Sequence, residues 1–316
     1  MKKLKTVFMG TPDFAVPCLL KLAEISDVVG VVTQPDRPRG RGQKETPSPV
    51  KSCAVSGGFS VYQPKKIRSE DFFPVLEALS PDIIVVVAFG QILPKRILDL
   101  PRLGCVNVHA SLLPKYRGAA PMQRCLMAGD KVTGVTTMFM DEGLDTGDML
   151  LRKEVTISSE MNFGELHDEL SGVGAELLSE TVTGLRDGTV SRTKQKDDEA
   201  SYADKISKST GKIDWTKNAT EIHNLVRALS PFPGAYTFLE GKTYKIWRAK
   251  VVEDDLSAKP GEIMRGDAGE LLVGTGKGAL SILEIQAPGR KRMSAAEYLR
   301  GNGISSHAFF RDTEYL

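Results

Sequence analysis

Residues 82–88 read DIIVVVA and residues 28–33 read VVGVVT, and these two apolar runs decide the fold. Continuous β-branched runs are typical of strands that are buried on both faces of a parallel sheet. A short strand over residues 4–9, a turn at residues 10–13 and a helix over residues 14–25 precede the second run. Strand, helix and strand in that order form a right-handed βαβ unit. The sequence therefore predicts a Rossmann-like α/β domain, with a mostly parallel sheet and helices on both faces.

The second half of the chain changes character. Residues 188–209 are charged and poor in apolar side chains, which favours a linker. After a helix over residues 219–229, short β-rich runs follow one another, and Ser294 with Glu297 has the spacing of a capping box. This pattern predicts a small antiparallel β-barrel of the oligonucleotide-binding (OB-like) kind. We predict a catalytic domain over residues 1–189, a linker over 190–209 and a barrel over 210–316.

Composition excludes several classes of protein. The 316 residues are 41% hydrophobic and 26% charged with a net charge of +2, which is ordinary for a globular protein and shows no broad nucleic-acid footprint. Four cysteines without paired spacing indicate reduced thiols in a cytoplasmic protein, and the four histidines lack metal-ligand spacing. No apolar run approaches a membrane span. The first βα turn, GTPD, lacks Gly-x-Gly-x-x-Gly, which disfavours a nicotinamide dinucleotide.

The stretch CVNVHASLLPKYRGAAP, residues 105–121, carries the side chains best suited to chemistry. It begins as a strand in which Asn107 and His109 are two residues apart, so both side chains point to one face. A carboxamide donor beside an imidazole suits a developing oxyanion and a proton transfer. Open α/β sheets bind ligands at the carboxyl ends of their strands. We therefore predict an active site at the end of this strand.

A carboxylate that orients His109 is expected in the turn-rich segment MDEGLDTGDM, residues 140–149. A carboxylate on such a loop can reach an imidazole and favour its charged form. Spacing alone does not choose among the acidic residues of this segment, which are Asp141, Glu142, Asp145 and Asp148.

A second functional segment is the basic stretch QPDRPRGRGQKETPSPVK, residues 34–51. Its Pro and Gly content predicts a long loop that buries no core face and is disordered until it binds a partner. Its arginines are spaced so that their guanidinium groups stay free to contact phosphate.

NVHASLLPKYRGAAP and DEGLDTGDML together closely resemble the folate-dependent formyltransferases. That family uses an Asn-x-His-x-Ser-Leu-Leu-Pro motif and a Leu-Asp-x-Gly-Asp loop, and its catalytic residues fall on Asn107, His109 and Asp145 here. The resemblance covers essentially the whole chain. It implies that 10-formyltetrahydrofolate donates a formyl group, without a metal, to the amino group of methionine on initiator tRNA, for translation initiation.

The resemblance also implies the substrate contacts. In the family, the segment after the 82–88 strand wraps the pterin, and the motif loop also contacts the folate. The implied folate contacts are Phe89, Gly90, Gln91, Ile92, Leu93, Ser111, Leu112, Leu113 and Pro114. The implied tRNA contacts are Arg37, Arg39, Arg41, Lys44, Lys245 and Arg248. We expect a monomer, and we expect Ser111 to shape the loop and not to act as a nucleophile, because no base lies within sequence reach.

Three alternatives stay open at this point. A related formyltransferase acting on an amino sugar or a ribonucleotide amine would share the same three residues, as would a hydrolase that gives the formyl group to water. The third alternative is a tRNA-binding module on an inactive enzyme scaffold. The intact set of Asn107, His109 and Asp145 argues against this last reading.

Overall fold

The computed structural model describes residues 3–39, 44–252, 258–266, 269–301, 304 and 308–313. The chain divides into two compact units, each with its own core. The first comprises Met1–Gly118, Val132–Thr156 and His167–Ala203, and the second comprises Ala119–Lys131, Ile157–Leu166 and Asp204–Leu316. The helices are, in chain order, α1 (Val16–Ile25), α2 (Pro49–Ser56), α3 (Phe73–Leu79), α4 (Lys95–Leu98), α5 (Pro121–Ala128), α6 (Phe163–Asp187), α7 (Ala219–Ala228) and α8 (Ala295–Gly301).

The first unit is built on a seven-stranded sheet that is parallel over five strands and antiparallel at one edge. The strands of this unit are, in chain order, β1 (Lys5–Gly10), β2 (Asp27–Val32), β3 (Arg37–Arg39), β4 (Lys44–Thr46), β5 (Val61–Tyr62), β6 (Ile83–Val87), β7 (Cys105–His109), β8 (Arg117–Gly118), β9 (Val132–Phe139), β10 (Met149–Thr156) and β11 (Tyr202–Ala203). The order across the sheet is β10-β9-β7-β6-β1-β2-β5. Two small ribbons accompany it, with β3 antiparallel to β4 and β8 parallel to β11.

Helices pack on both faces of this sheet. On one face, Val7 of β1 and Ile84 of β6 share a core cluster with Leu76 of α3. On the other face, a Cβ built on Gly174 of α6 would lie 3.2 Å from Cγ1 of Val108, so glycine lets this helix approach β7 closely. The predicted mostly parallel sheet with helices on both faces is confirmed, and β6, which is buried along its whole length, is one of its central strands.

The basic stretch over residues 34–51 differs from its prediction. It contains β3, β4 and the start of α2, and Val50 is fully buried, so the prediction of a loop that buries no core face was wrong. The reason lies in local capping. Ser48 accepts a hydrogen bond from the backbone N–H of Lys51 at 3.0 Å, and Pro49 occupies the first helical turn. A Ser followed by Pro is a strong helix-start signal that the Pro and Gly content had obscured.

The second unit holds an antiparallel sheet of six strands in the order β12-β13-β16-β15-β14, with β17 paired to β16. These strands are β12 (Ala235–Leu239), β13 (Lys242–Val252), β14 (Ile263–Arg265), β15 (Leu271–Gly274), β16 (Ala279–Gln286) and β17 (Met293–Ser294). The core of this unit contains Ile222 and Val226 of α7 together with Ile246 of β13 and Ile282 of β16. The capping box predicted at the start of α8 is confirmed, since Ser294 and Glu297 exchange hydrogen bonds.

Residues 308–311 connect the two edges of this sheet. The backbones of Phe238 on β12 and Arg311 exchange hydrogen bonds of 2.9 and 2.8 Å, and the N–H of Ile263 on β14 donates to Ala308 at 2.8 Å. The first and last strands are therefore joined through one short segment. The predicted antiparallel barrel closes in this way.

The cysteines yield a first testable prediction. Burial raises the pKa values of the Cys18 and Cys105 thiols to about 12, so both stay protonated at neutral pH. Cys53 is half-buried, and burial raises its pKa as well. We expect an alkylating reagent at mildly alkaline pH to modify Cys53 of the native protein first. Mass spectrometry of the labelled protein checks this, and modification of Cys18 or Cys105 before denaturation would contradict the packing described above.

Within the ranges that the structure describes, no helix is both long and apolar enough to cross a membrane.

Candidate functional site

The site is built on the carboxyl end of β7. Asn107 and His109 lie on the same face of the strand as Cys105, which contacts the cluster formed with α3 and α4. His109 is 6% exposed and Asn107 is half-buried. In the part of the chain that the structure describes, the Asn107 carboxamide makes no side-chain hydrogen bond, whereas His109 is tightly held. The His109 side chain is thus fixed, and the amide donor of Asn107 is available.

Both ring nitrogens of His109 face oxygen acceptors. Nε2 lies 2.9 Å from the carbonyl oxygen of Tyr116, and Nδ1 lies 3.7 Å from Oδ2 of Asp145. A carbonyl oxygen can only accept, so Nε2 must carry a proton. A neutral ring would then turn the lone pair of Nδ1 toward a carboxylate. The doubly protonated imidazolium presents an N–H to both acceptors, which suits a residue that stabilises negative charge and transfers a proton.

Asp145 is the acidic residue of its segment that reaches His109. Its side chain is 15% exposed, and Oδ2 also accepts a hydrogen bond of 2.7 Å from the backbone N–H of Gly118. Its φ of +54° lies in the left-handed region, where a non-glycine residue needs support from its surroundings. Asp141 has a different task, because its Oδ1 accepts hydrogen bonds from Gly143 N–H and the Thr146 hydroxyl. The geometry thus separates Asp145 from its acidic neighbours.

The motif loop, residues 111–114, is anchored from inside. The Ser111 hydroxyl is fully buried and donates to the carbonyl of Lys115 at 2.6 Å. The Thr136 hydroxyl donates to the carbonyl of Ser111 at 2.7 Å and accepts from the N–H of Leu113 at 3.1 Å. Leu113 packs against Met138. Ser111 is therefore committed to the shape of the loop, and Thr136 is a supporting residue that the sequence did not indicate.

The segment over residues 89–93 combines buried anchors with an open surface. Phe89 and Leu93 are 2% and 3% exposed and belong to the core, whereas Ile92 is 85% exposed and Gly90 has φ +82°. Oε1 of Gln91 accepts from the backbone N–H of Ile67 at 2.7 Å. Its Nε2 is buried and, among the described residues, has no hydrogen-bond partner. An unpaired buried amide beside an exposed glycine backbone and an exposed apolar side chain fits a flat heteroaromatic ligand with polar edges.

The predicted tRNA contacts of the first unit lie on the ribbon of β3 and β4. Arg37 and Arg39 are on β3 and Lys44 is on β4, while Arg41 lies outside the described residues. The ribbon is tied down next to Arg37. Asp36 accepts hydrogen bonds from Lys51 at 2.5 Å and from Gln63 at 2.8 Å. These bonds, the one from Lys51 most strongly, hold the pKa of Asp36 below its usual range. These bonds engage the Asp36 carboxylate.

The predicted contacts of the second unit differ from each other in their surroundings. Lys245 donates to the carbonyl of Pro233 at 2.8 Å and lies 5.2 Å from the ring centroid of Trp247. Arg248 is exposed and, in the described part of the chain, forms no ion pair. Arg248 is therefore the freer of the two cations for binding a phosphate.

Sequence reasoning missed a group of residues around Arg117. The Arg117 side chain is 2% exposed, and its Nε donates to Oε1 of Gln195 at 3.0 Å. Gln195 in turn bonds the loop of Asp145. Gln195 lies in the charged stretch that predicts a linker, and no sequence pattern distinguishes it there. Among the described residues, no three His, Cys, Asp or Glu side chains form a group that could hold a metal ion.

Comparison with known proteins adds the family. Residues 4–182 match the formyl transferase family, and residues 205–303 match the formyl transferase C-terminal domain. The methionyl-tRNA formyltransferase of Clostridioides difficile (strain 630) is 50% identical over 96% of this chain and 98% of its own length. That of Agathobacter rectalis is 51% identical over 97% of this chain and 99% of its own length. The chain belongs to the methionyl-tRNA formyltransferase family.

The family assignment agrees with the fold seen in more distant proteins. The N-formyltransferase from Helicobacter canadensis, solved with folinic acid and dTDP-3-aminofucose, has 19% sequence identity and a TM-score of 0.65. The alignment covers 89% of this chain and 99% of that one. At this identity the likeness concerns the fold. Membership in the methionyl-tRNA formyltransferase family, in contrast, rests on relatives that are 50% and 51% identical over nearly the full chain.

Proposed function

We propose that this protein transfers the formyl group of 10-formyltetrahydrofolate to the amino group of methionine on initiator tRNA, for translation initiation. One structural observation carries the proposal. The His109–Asp145 pair lies at the end of β7 beside Asn107, whose amide is unengaged among the described residues. Membership in the methionyl-tRNA formyltransferase family selects the acceptor.

The chemistry follows from these three residues. The neutral amine of methionyl-tRNA attacks the formyl carbon and gives a tetrahedral intermediate with a negative oxygen. The Asn107 amide and the protonated His109 stabilise this oxyanion. Asp145 places a negative charge opposite Nδ1 of His109, and a proton passes from the amine to the leaving N10 of the folate, through water that contacts Asp145. The carbon–nitrogen bond to folate then breaks, and the products are formyl-methionyl-tRNA and tetrahydrofolate.

The folate co-substrate is placed against residues 89–93 and the motif loop. Gln91 Nε2 supplies a buried donor without a partner among the described residues, and the exposed Ile92 supplies an apolar surface for the pterin. Phe89 and Leu93 support this surface from the core. Leu112 is the half-buried residue of the motif loop, whereas Ser111, Leu113 and Pro114 are buried and act by holding the loop in shape.

The tRNA substrate is assigned to basic residues in both units: Arg37, Arg39, Arg41, Lys44, Lys245 and Arg248. In this proposal residues 1–189 carry the chemistry and the first set of tRNA contacts, and residues 210–316 carry the second set. Residues 190–209 link the two domains and include Gln195, which bonds the loop of Asp145. We propose that the protein acts as a monomer: Asn107, His109 and Asp145 all come from one compact unit of one chain, so this set needs no second copy. Its cysteines are free thiols, which suits the reducing cytoplasm.

The tRNA assignment predicts the behaviour of Arg248→Ala. We expect the KM for methionyl-tRNA to rise several-fold and the salt dependence of binding to weaken by about one unit of slope, because one phosphate contact is lost. The KM for 10-formyltetrahydrofolate should not change. Lys153→Ala, which removes an exposed cation from β10, is the matched control. Equal tRNA binding by Arg248→Ala and wild type would remove Arg248 from the interface.

The proposed reaction is tested by offering the enzyme three acceptors with the same formyl donor. We expect rapid formylation of methionyl-tRNA and little or no transfer to a nucleotide-linked amino sugar or to water. Formylation of the amino sugar would assign the protein to a sister activity. Release of formate at the same rate with and without tRNA would show a hydrolase.

A further inference from the structure

We propose that Gln195 is a positioning residue, which holds Asp145 against His109 and is itself oriented by the buried guanidinium of Arg117. The proposal rests on the function proposed above. The backbone of Asp145 has a φ of +54°, in the left-handed region that residues with a side chain rarely adopt. Such a conformation persists when neighbouring groups hold it in place.

Gln195 supplies that restraint. Its Nε2 donates to the carbonyl oxygens of Asp145 and Gly147, each at 2.8 Å. These two carbonyls flank Thr146, so one amide group holds both sides of the turn. The turn packs closely against β9 at Gly147, where an added Cβ would lie 1.9 Å from the carbonyl oxygen of Phe139, so only glycine fits there. The two donated hydrogen bonds therefore fix the position from which the Asp145 carboxylate leaves the backbone.

Arg117 decides which way the Gln195 amide points. A guanidinium can only donate, so the oxygen of the amide must face Arg117 and the nitrogen must face the two carbonyls. The second end of the guanidinium forms an ion pair with Asp197, with Nη2 and Oδ1 2.9 Å apart. The Arg117 side chain is buried, which limits competition from water at its end of the bond to Gln195, whereas the Asp197 carboxylate is 86% exposed.

Further hydrogen bonds link the residues around Arg117 to both His109 and Asp145. Gly118, the neighbour of Arg117, donates its N–H to the Asp145 carboxylate, while Arg117 reaches the backbone of Asp145 through Gln195. The carbonyl of Tyr116 contacts His109. Residues 116 and 117 are themselves held by Ser201, whose hydroxyl and carbonyl accept from their backbone N–H groups at 2.9 and 2.8 Å. Residues 195–201 thus act as a scaffold for both members of the pair.

The test is single-turnover formyl transfer by Gln195→Met, which removes the donors and the acceptor with little change in size. We expect the rate to fall by roughly 10- to 100-fold, since a displacement of about 1 Å at a catalytic group has an effect of that order. The affinities for folate and for tRNA should stay at the wild-type values. Gln195→Glu keeps the acceptor for Arg117 and loses both donors, so it should be slowed as well, and it serves as the second variant if the first fails to fold.

Two comparisons separate positioning from general destabilisation. Thr181→Val removes two buried hydrogen bonds from the same unit, at 2.8 Å to Thr137 and 2.7 Å to Leu177. Its melting temperature should fall about as much as that of Gln195→Met, while its rate of formyl transfer should stay at the wild-type value. The double variant Gln195→Met, Asp145→Asn should be no slower than Asp145→Asn, because Gln195 acts through Asp145. Additive losses in the double variant, or a wild-type rate in both Gln195 variants, would overturn the inference. If the wild-type enzyme itself fails to formylate methionyl-tRNA, the proposed function fails instead.

Discussion

Asp145→Asn is expected to lower the rate of formyl transfer by roughly 10⁴-fold while the protein stays folded, by analogy with other carboxylates that orient a catalytic histidine. Asparagine tolerates the left-handed backbone at this position and can still accept the hydrogen bond from Gly118 through its carbonyl oxygen. It lacks the negative charge that faces Nδ1 of His109. The imidazolium loses its counter-charge, and proton transfer loses its carboxylate.

The control for this variant lies in the same loop. Glu142→Gln removes an exposed carboxylate three residues away and should stay within about threefold of the wild-type rate. Melting temperature and folate affinity should agree among the three proteins. Equal losses in Asp145→Asn and Glu142→Gln would show a general effect of loop charge and would remove Asp145 from the catalytic set.

Asn107→Ala is expected to lower the rate by about 10²–10³-fold, which is the usual effect of removing one oxyanion donor. The half-buried side chain makes no hydrogen bond to any other described residue, so its loss should change stability little. Asn107→Asp keeps the size and removes the donor, and it adds a negative charge where the oxyanion forms. It should therefore be slower than Asn107→Ala.

These two variants separate catalysis from packing. If Asn107 had only a packing role, the rate would depend on the size of the side chain, and Asn107→Asp would be more active than Asn107→Ala. Single-turnover rates with saturating folate and tRNA, measured together with melting temperatures, provide the comparison. An Asn107→Ala rate within about threefold of wild type would contradict the oxyanion role.

The elements that sequence predicts best are those in which local pattern and tertiary burial agree. The strand β6 is a continuous apolar run, and the short β-rich runs predicted after the helix over residues 219–229 form antiparallel strands, among them β12, β13 and β16. The common face of Asn107 and His109 follows from strand geometry alone. The carboxylate partner of His109 could not be predicted from strand geometry. Several carboxylates share its loop, and only the resemblance to a family selected Asp145.

The remaining parts of the site could not be read from side-chain patterns. The acceptor that faces Nε2 of His109 is a backbone carbonyl, and any residue at position 116 would supply it. Gln195 comes 50 residues after Asp145 and works through its amide group, in a stretch whose composition resembles that of any charged surface segment. Such contacts depend on how distant segments come together, which sequence spacing does not record.

Direct transfer of the formyl group is tested by following the formyl carbon itself. Enzyme in excess is mixed with 10-formyltetrahydrofolate labelled in the formyl carbon and with methionyl-tRNA, and the reaction is quenched on the millisecond-to-second scale. Direct transfer from folate to the amine predicts that label leaves folate and enters methionyl-tRNA at one common rate, that no label is bound to protein, and that Asp145→Asn and Asn107→Ala slow this single step. Label that accumulates on the protein or is released as formate, or an unchanged rate in both variants, would contradict it.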